Sequence, residues 1–418
     1  MKKSFILSMQ DVQSNCRRKF SLNSTPTTSK QRIDTLDILR GVSLLGILLV
    51  NMFAFSTPMP HIDLKTWFTV PIDKEYHEIL DVFVQGSFYP LFSMLFGYGL
   101  AMQYTKTTRL GDSFYKFSIK RLVVLFIIGM FHAFLIWWGD ILMTYAFCGL
   151  VLIALIRLRP VFLLTIGLIF YIGINGIMAM LVGLASLADP SGTDPSQFID
   201  IESMEDAVKA YGAGSWTDAF MQRLVDLSIQ FSPSMWLMAL FTILPYMLVG
   251  AAASKWQLIE KAKSKYVLWS ILAIVMVPLG IYLKFLPYAF ERNSFLDYIQ
   301  TYFGGPILAL GYASVMVLFC CIPYATKMLS PIAKAGRMSL TVYITQSIIC
   351  TLIFYHFGLG LYGKIGVDTA TWLAVGIYAI QLIFATIWFM LFKQGPIEAA
   401  WKRIIYGESV LKKEEINQ

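Results

Sequence analysis

Residues 32–51 read RIDTLDILRGVSLLGILLVN. From Leu36 onward the run is long and apolar enough to cross a bilayer, yet it carries Asp37, Arg40 and Asn51. An ionisable group in hydrocarbon costs roughly 2.5–3.5 kcal/mol on insertion scales, so it usually turns toward a bundle interior and marks a functional place. Asp37 and Arg40 are three residues apart and meet on one helical face. Arg40 and Asn51 are eleven apart and share a face as well, separated by about 16 Å at ~1.5 Å per residue. A plainer reading lets the Asp37–Arg40 pair snorkel to headgroups and Asn51 bond a neighbouring helix.

The rest of the chain sets this segment in context. Of its 418 residues, 57% are apolar and 14% charged. Apolar runs near twenty residues recur along its length, which is the signature of a helical membrane protein. Hydrocarbon leaves the backbone no outside partner, so each run must close its own hydrogen bonds as a helix. The expected fold is all-α and polytopic, with about ten transmembrane helices at 36–56, 82–104, 118–138, 140–156, 160–187, 233–253, 267–283, 304–326, 338–360 and 369–392. With both termini cytoplasmic, 27 of the 34 Lys and Arg fall on the inner side and 7 outside, as the positive-inside rule requires. The net charge of +8 is then a basic inner face, suited to anionic lipid or an anionic cytosolic ligand, and not a nucleic-acid footprint.

The expected organisation is a disordered basic tail at 1–31, one transmembrane domain at 32–407 and a short cytoplasmic tail at 408–418. Two longer segments face outward, 57–81 and 188–232. The second opens on Asp-Pro and Ser-Gly turn signals and then has helical periodicity from Met204 to Leu227. The five cysteines (Cys16, Cys148, Cys320, Cys321 and Cys350) have no metal-ligand spacing. No GxxxxGK[ST], HExxH or GxSxG motif is present.

Three further stretches carry polar residues into apolar spans. GSFYPLFSMLFGYGLAMQ places Gln85, Tyr89, Ser93 and Gly97 at four-residue steps, a stripe that could line a substrate or simply admit close helix packing. KRLVVLFIIGMFHAFLIWWGDILMTYAFCGL sets His132 eleven residues after Arg121 and eight before Asp140 across a tight turn. A buried histidine is neutral unless paired, and it can pass a proton near neutral pH. Asp140, Thr144 and Cys148 are expected on one face of the following helix, with Tyr145 beside them. In AGRMSLTVYITQSI, Ser339, Tyr343 and Gln346 form a third stripe, with Arg337 at its cytoplasmic mouth. His61 and His77 are expected in a wet outer loop.

Taken together, these stretches resemble the YeiB-like bacterial membrane proteins, the group defined by the DUF418 domain. AGRMSLTVYITQSIICTLIFYHFGLGLYG and FKQGPIEAAWKRIIYG resemble that domain itself, expected at about 233–407, and YGAGSWTDAFMQRL with Arg223 fits the family's outer segment. The resemblance covers about 32–407 and implies a bacterial plasma-membrane protein. The family is grouped with multispan acyltransferases, among them heparan-glucosaminide acetyltransferases and sugar O-acetylating enzymes. Their opening motif maps onto Asp37, Arg40 and Gly41. Their histidine ends or follows the first span, where this chain has Asn51 and then His61.

Three functions follow as expectations. The first is an acyltransferase that takes an acyl group from cytosolic acyl-CoA, with no covalently bound cofactor and no metal. Arg40, Arg121 and Arg337 would meet the donor's phosphates, since guanidinium donates paired bonds to phosphate. His132, oriented by Asp140 or Tyr145, would be the general base, and an envelope sugar or lipid acceptor would enter past Arg223. Asp37, Asn51, Gln85, Tyr89, Tyr343 and Gln346 complete the expected binding set. The second is a small-molecule transporter using His132, Asp140 and Arg40 as a relay. The third is a structural or regulatory membrane subunit in which these groups are helix glue.

Overall fold

A computed structural model describes residues 33–109, 114–188 and 200–406. The expected tails at 1–31 and 408–418, Cys16 and the turn signals after Ala188 lie outside the described residues. Among the described residues all regular structure is helical. Eight helices are long and apolar enough to cross a membrane. One bent pair and one shorter apolar helix complete the ten expected stretches. The protein is a multi-pass helical membrane protein.

Helix α1 (Asp34–Ser56) stands at the centre. Helix α2 (Pro71–Phe83) leads through a turn at Gly86 into α3 (Phe88–Arg109). Gly86 has φ of 72°, a left-handed conformation that ends a helix without a Cβ clash. This break puts Gln85 in the turn, off the stripe of Tyr89, Ser93 and Gly97. Helix α4 (Phe114–Phe131) runs into a π-turn at His132–Ile136, and α5 (Leu142–Leu155) returns beside it. The long α6 (Pro160–Ala188) follows.

Two amphipathic helices, α7 (Ile201–Gly212) and α8 (Trp216–Gln230), cap the far end of the bundle. They match the periodicity read from Met204 to Leu227. Both outer histidines are buried and not wet, His61 under α8 and His77 on α2 among aromatic side chains. His61 Nε2 lies 3.2 Å from Asp226 Oδ1 of α8. His77 packs between Phe53 and Phe68.

Helices α9 (Pro233–Thr242) and α10 (Leu244–Lys255) make one interrupted span. Then come α11 (Tyr266–Ala289), α12 (Ser294–Ile299) and α13 (Gly305–Cys320). Helix α14 (Ser330–Arg337) meets α15 (Ser339–Phe354) at 85°. Helix α16 (Val367–Leu391) and the amphipathic α17 (Pro396–Tyr406) close the chain.

Apolar side chains give no net drive for helices to associate in lipid, so close backbone approach has to supply packing. Helices α3 and α10 cross at Gly97 and Gly250, where a Cβ on either would land on the facing carbonyl, Met247 O or Met94 O. Helices α1 and α14 meet in the same way at Gly41 and Gly336, against Ile332 O and Asp37 O. Helices α6 and α11 instead show large apolar side chains such as Ile169, Ile172, Ile271 and Ile274 to the outside, as lipid-facing helices do.

Candidate functional site

A cavity of about 320 Å³ runs between α1, α3, α4, α5, α14, α15 and α17. It extends from Ile33 and Arg337, at the end where α1 begins, to Ile47, Tyr145 and Tyr343. That is about 21 Å of depth along α1 at ~1.5 Å per residue. Its wall is mostly apolar, with Asp37, Arg40, Arg121, Arg337 and Glu398 gathered on it.

The local sequence sets this charge pattern. Arg40 lies one turn after Asp37 and its Nη1 donates to Asp37 Oδ1 at 3.0 Å. Arg337 ends α14 and donates from Nε to Asp37 Oδ2 at 3.2 Å and from Nη2 to Asp34 Oδ1 at 2.7 Å. One buried carboxylate therefore orients two guanidiniums. Arg121 donates to Gln103 Oε1 at 2.9 Å and lies over the Trp401 ring, 4.8 Å from its centre. Glu398 is engaged elsewhere: its Oε1 accepts from the amides of Leu340 and Thr341 at the start of α15. Arg40 and Arg337 thus share Asp37, Arg337 also holds Asp34, and with Arg121 they set three guanidiniums on one cavity, groups whose forks suit an anionic ligand.

Tyr343 lines the deep end, and His132 lies behind it with ring centres 5.1 Å apart. The π-turn carries one residue more per turn than an α-helix, and such turns re-aim side chains. Here the turn points His132 Nδ1 at Asp140 Oδ2, 2.8 Å away. Asp140 Oδ1 accepts the Met143 amide at 2.9 Å. The aspartate thus precedes α5 and caps it; it does not share a helical face with Thr144 and Cys148. A neutral ring bonded in this way carries its proton on Nδ1 and leaves a lone pair on Nε2. Nε2 is buried and has no hydrogen-bond partner. The Tyr343 hydroxyl donates to Gly139 O at 3.2 Å, which holds the ring between cavity and imidazole. The guanidiniums line the hollow, and the imidazole stands one ring behind it.

Residues 253–408 match the family described as "Protein of unknown function (DUF418)". Over 397 residues the chain is 32% identical to the uncharacterized protein YeiB of Escherichia coli (strain K12), covering 90% of this chain and 96% of YeiB. The chain belongs to the YeiB-like DUF418 family. It is also 31% identical over 395 residues to the uncharacterized protein YxaH of Bacillus subtilis (strain 168), covering 91% of this chain and 96% of YxaH. The DUF418 segment brings Arg337, Tyr343, Glu398 and Trp401 to the cavity. The part before it brings Asp37, Arg40, Arg121 and Tyr145, so neither portion builds the site alone.

The other expected residues of this DUF418 protein divide cleanly. The Tyr145 hydroxyl lies 3.0 Å from Ser93 Oγ and 3.2 Å from Tyr89 O, so Asp140, not Tyr145, orients His132. Tyr89 packs its ring against Tyr246, away from the arginines. Asn51 is one turn beyond Ile47, past the cavity wall. The carbonyl of Gln85 accepts from buried Lys284 at 2.7 Å, far along α3 from the arginines. Gln346 donates to Gln381 at 3.0 Å and leaves the Ser339–Tyr343 face. Arg223 lies in the α7–α8 cap and donates to Phe134 O at 2.9 Å. Sequence reasoning missed Glu398, Trp401 and Gln103. The signal for the first two was GPIEAAWKR, a lone acid and a tryptophan one turn apart in a basic amphipathic stretch.

Proposed function

We propose that this DUF418 protein is a membrane-embedded acyltransferase that takes an acyl group from cytosolic acyl-CoA and gives it to an extracytoplasmic hydroxyl or amine. The reading puts the arginine-bearing end on the cytoplasmic side of the bacterial plasma membrane. The observation that carries it is the pairing of an arginine-mouthed apolar cavity with a His132–Asp140 couple just beyond its deep end. A cavity near 320 Å³ is at the small end of ligand pockets, room for a thiol arm and a short acyl chain, with the nucleotide left at the mouth.

In this scheme Arg40, Arg121 and Arg337 hold the donor's phosphates. Tyr343 swings from Gly139 and admits the thioester carbonyl to His132. His132 Nε2 takes the proton as the acceptor oxygen or nitrogen bonds to that carbonyl carbon. Asp140 holds the ring and stabilises the imidazolium. The carbon–sulfur bond then breaks, and the proton passes from His132 to the departing thiolate. A positioned general base is typically worth about 10²–10⁴-fold in rate.

The test is transfer of labelled acetyl from acetyl-CoA by the purified protein with sugar and lipid acceptors. Product that disappears in His132→Gln, with acetyl-CoA still bound, supports the scheme. Neither binding nor transfer, or full activity in His132→Gln, removes it. Proton-driven uptake into proteoliposomes without transfer would put the carrier reading in its place, with the same His132, Asp140 and Arg40 as relay.

A further inference from the structure

The deep end of the cavity has a construction that the transfer scheme leaves unused. Phe92 and Phe96 are one turn apart on α3, so both rings lie on one face of that helix, and both line the hollow. Tyr145 of α5 lies against them. Its ring centre is 5.9 Å from that of Phe92, at an interplanar angle of 13°, and 5.5 Å from that of Phe96. Its hydroxyl is tied to the same helix α3, through Ser93 Oγ at 3.0 Å and Tyr89 O at 3.2 Å. Aromatic pairs of this kind hold each other beyond the area they bury. Tyr145 therefore cannot turn aside without giving up two rings and its polar partners together.

This end of the hollow takes hydrocarbon and little of it. The hydroxyls of Tyr145 and Tyr343 are committed to protein oxygens, and Leu44, Leu125 and Leu142 supply the remaining wall. The last α1 residue on the wall is Ile47, about 10 Å beyond Arg40 at ~1.5 Å per residue. A donor whose phosphates stay at the guanidiniums must fit both its thiol arm and its acyl chain into that depth. Each methylene that enters an apolar wall gains about fourfold in affinity. A methylene that meets a fixed floor gains nothing and forces its neighbours apart.

We infer that Phe92, Phe96 and Tyr145 are specificity-determining residues of this cavity: they floor a short acyl pocket that admits acetyl and butyryl chains and excludes octanoyl. The inference rests on the acyl-CoA reading above and adds which donors that site takes.

The test is thermal unfolding of the full chain in zwitterionic nanodiscs titrated with CoA, acetyl-CoA, butyryl-CoA and octanoyl-CoA. A ligand that binds only the native state raises Tm with its concentration. In the wild type, butyryl-CoA should bind about 15-fold tighter than acetyl-CoA, and octanoyl-CoA more weakly than butyryl-CoA. An unfloored apolar slot would instead favour octanoyl-CoA over acetyl-CoA by about 3000-fold. Phe96→Ala opens the floor and should raise the octanoyl-to-butyryl affinity ratio about tenfold. Ile47→Phe fills the same end and should lower the butyryl-to-acetyl ratio about tenfold. Comparing each ratio with wild type in the same nanodiscs cancels a general loss of stability and any uptake of octanoyl-CoA by lipid. Should Phe96→Ala fail to fold, Phe96→Leu makes a smaller opening and shifts the ratio the same way. Wild type that binds octanoyl-CoA tighter than butyryl-CoA overturns the inference, and so does a ratio left unmoved by its variant. In both cases acyl-CoA still binds and the acyltransferase reading stands. No rise with CoA or any of its esters removes that reading and the pocket with it.

Discussion

Glu398 offers the sharpest test of how the cavity is built. The 85° bend between α14 and α15 strips the first amides of α15 of intrahelical partners. Glu398, fifty-seven residues beyond Thr341, supplies them. Its Oε1 accepts from Leu340 N at 2.9 Å and Thr341 N at 3.1 Å, and its Oε2 from Thr341 Oγ1 at 2.6 Å. Losing a helix cap costs about 1 kcal/mol, and orphaning a buried polar partner adds about 1–3. Glu398→Ala should therefore lose about 2–4 kcal/mol. At ~2.1 cal/mol/K per residue that is a fall of about 2–5 °C in Tm for a chain of this length.

Charge and hydrogen bonding pull in opposite directions here. Burial pushes the Glu398 carboxyl above its ordinary value of 4.5, and the bonds from Thr341 and Leu340 only partly offset it. An acid whose folded pKa is raised contributes stability that is fully present below the ordinary value and lost as pH climbs through the raised one. Glu398→Gln keeps an acceptor oxygen and drops the charge. It should cost less than Glu398→Ala at neutral pH, and the gap between wild type and Glu398→Gln should narrow as pH rises from about 5 to about 8. Thermal unfolding of the full chain at three pH values and constant ionic strength measures both effects. A gap that widens in favour of wild type with rising pH would refute the reasoning, because the negative charge itself would then be holding α15.

Three more perturbations read other parts of the fold. Gly336→Ala should lose about 1–3 kcal/mol in thermal unfolding, because its Cβ meets the Asp37 carbonyl and α14 must back away. Gly173→Ala in α6, where a Cβ meets nothing within 4 Å, should gain up to about 1 kcal/mol in the same assay. At the cap end, burial raises the Asp63 pKa, but the hydrogen bonds and charge of Arg292 outweigh it and leave the carboxyl below 3.8. Its stabilisation is present above that ordinary value and lost as pH falls through the lower folded one, so Asp63→Asn should lower Tm at neutral pH and flatten the acid limb of a Tm–pH curve.

The spans were legible because hydrocarbon allows an apolar run so few solutions, and all ten stretches are helical. The His132–Asp140 pairing was legible too, since a turn of eight residues can bring only near neighbours together. What failed was rotation and distance. Tyr145 and Gln346 sit at the right spacing, but they turn toward Ser93 and Gln381. Spacing fixes a face relative to its own helix and not relative to the bundle. His61 looked wet because nothing local says that α8 folds back over it, and His77 because Phe53 and Phe68, which pack on it, come from other segments. Glu398 was invisible for the same reason: its partners lie in another helix, beyond a bend that hydropathy does not register.

The two arginine motifs make sense as one device. LDILRG and AGR are about 300 residues apart, yet each pairs its arginine with a nearby glycine. Gly41 and Gly336 let α1 and α14 touch backbone to backbone. Only at that separation does the Asp37 carboxylate reach Arg337 as well as Arg40. A larger residue at either glycine would push the helices apart and leave Asp37 with Arg40 alone. Arg337, left with the half-exposed Asp34 alone, would no longer be fixed at the cavity wall. The glycines are thus as much a part of the anion site as the arginines.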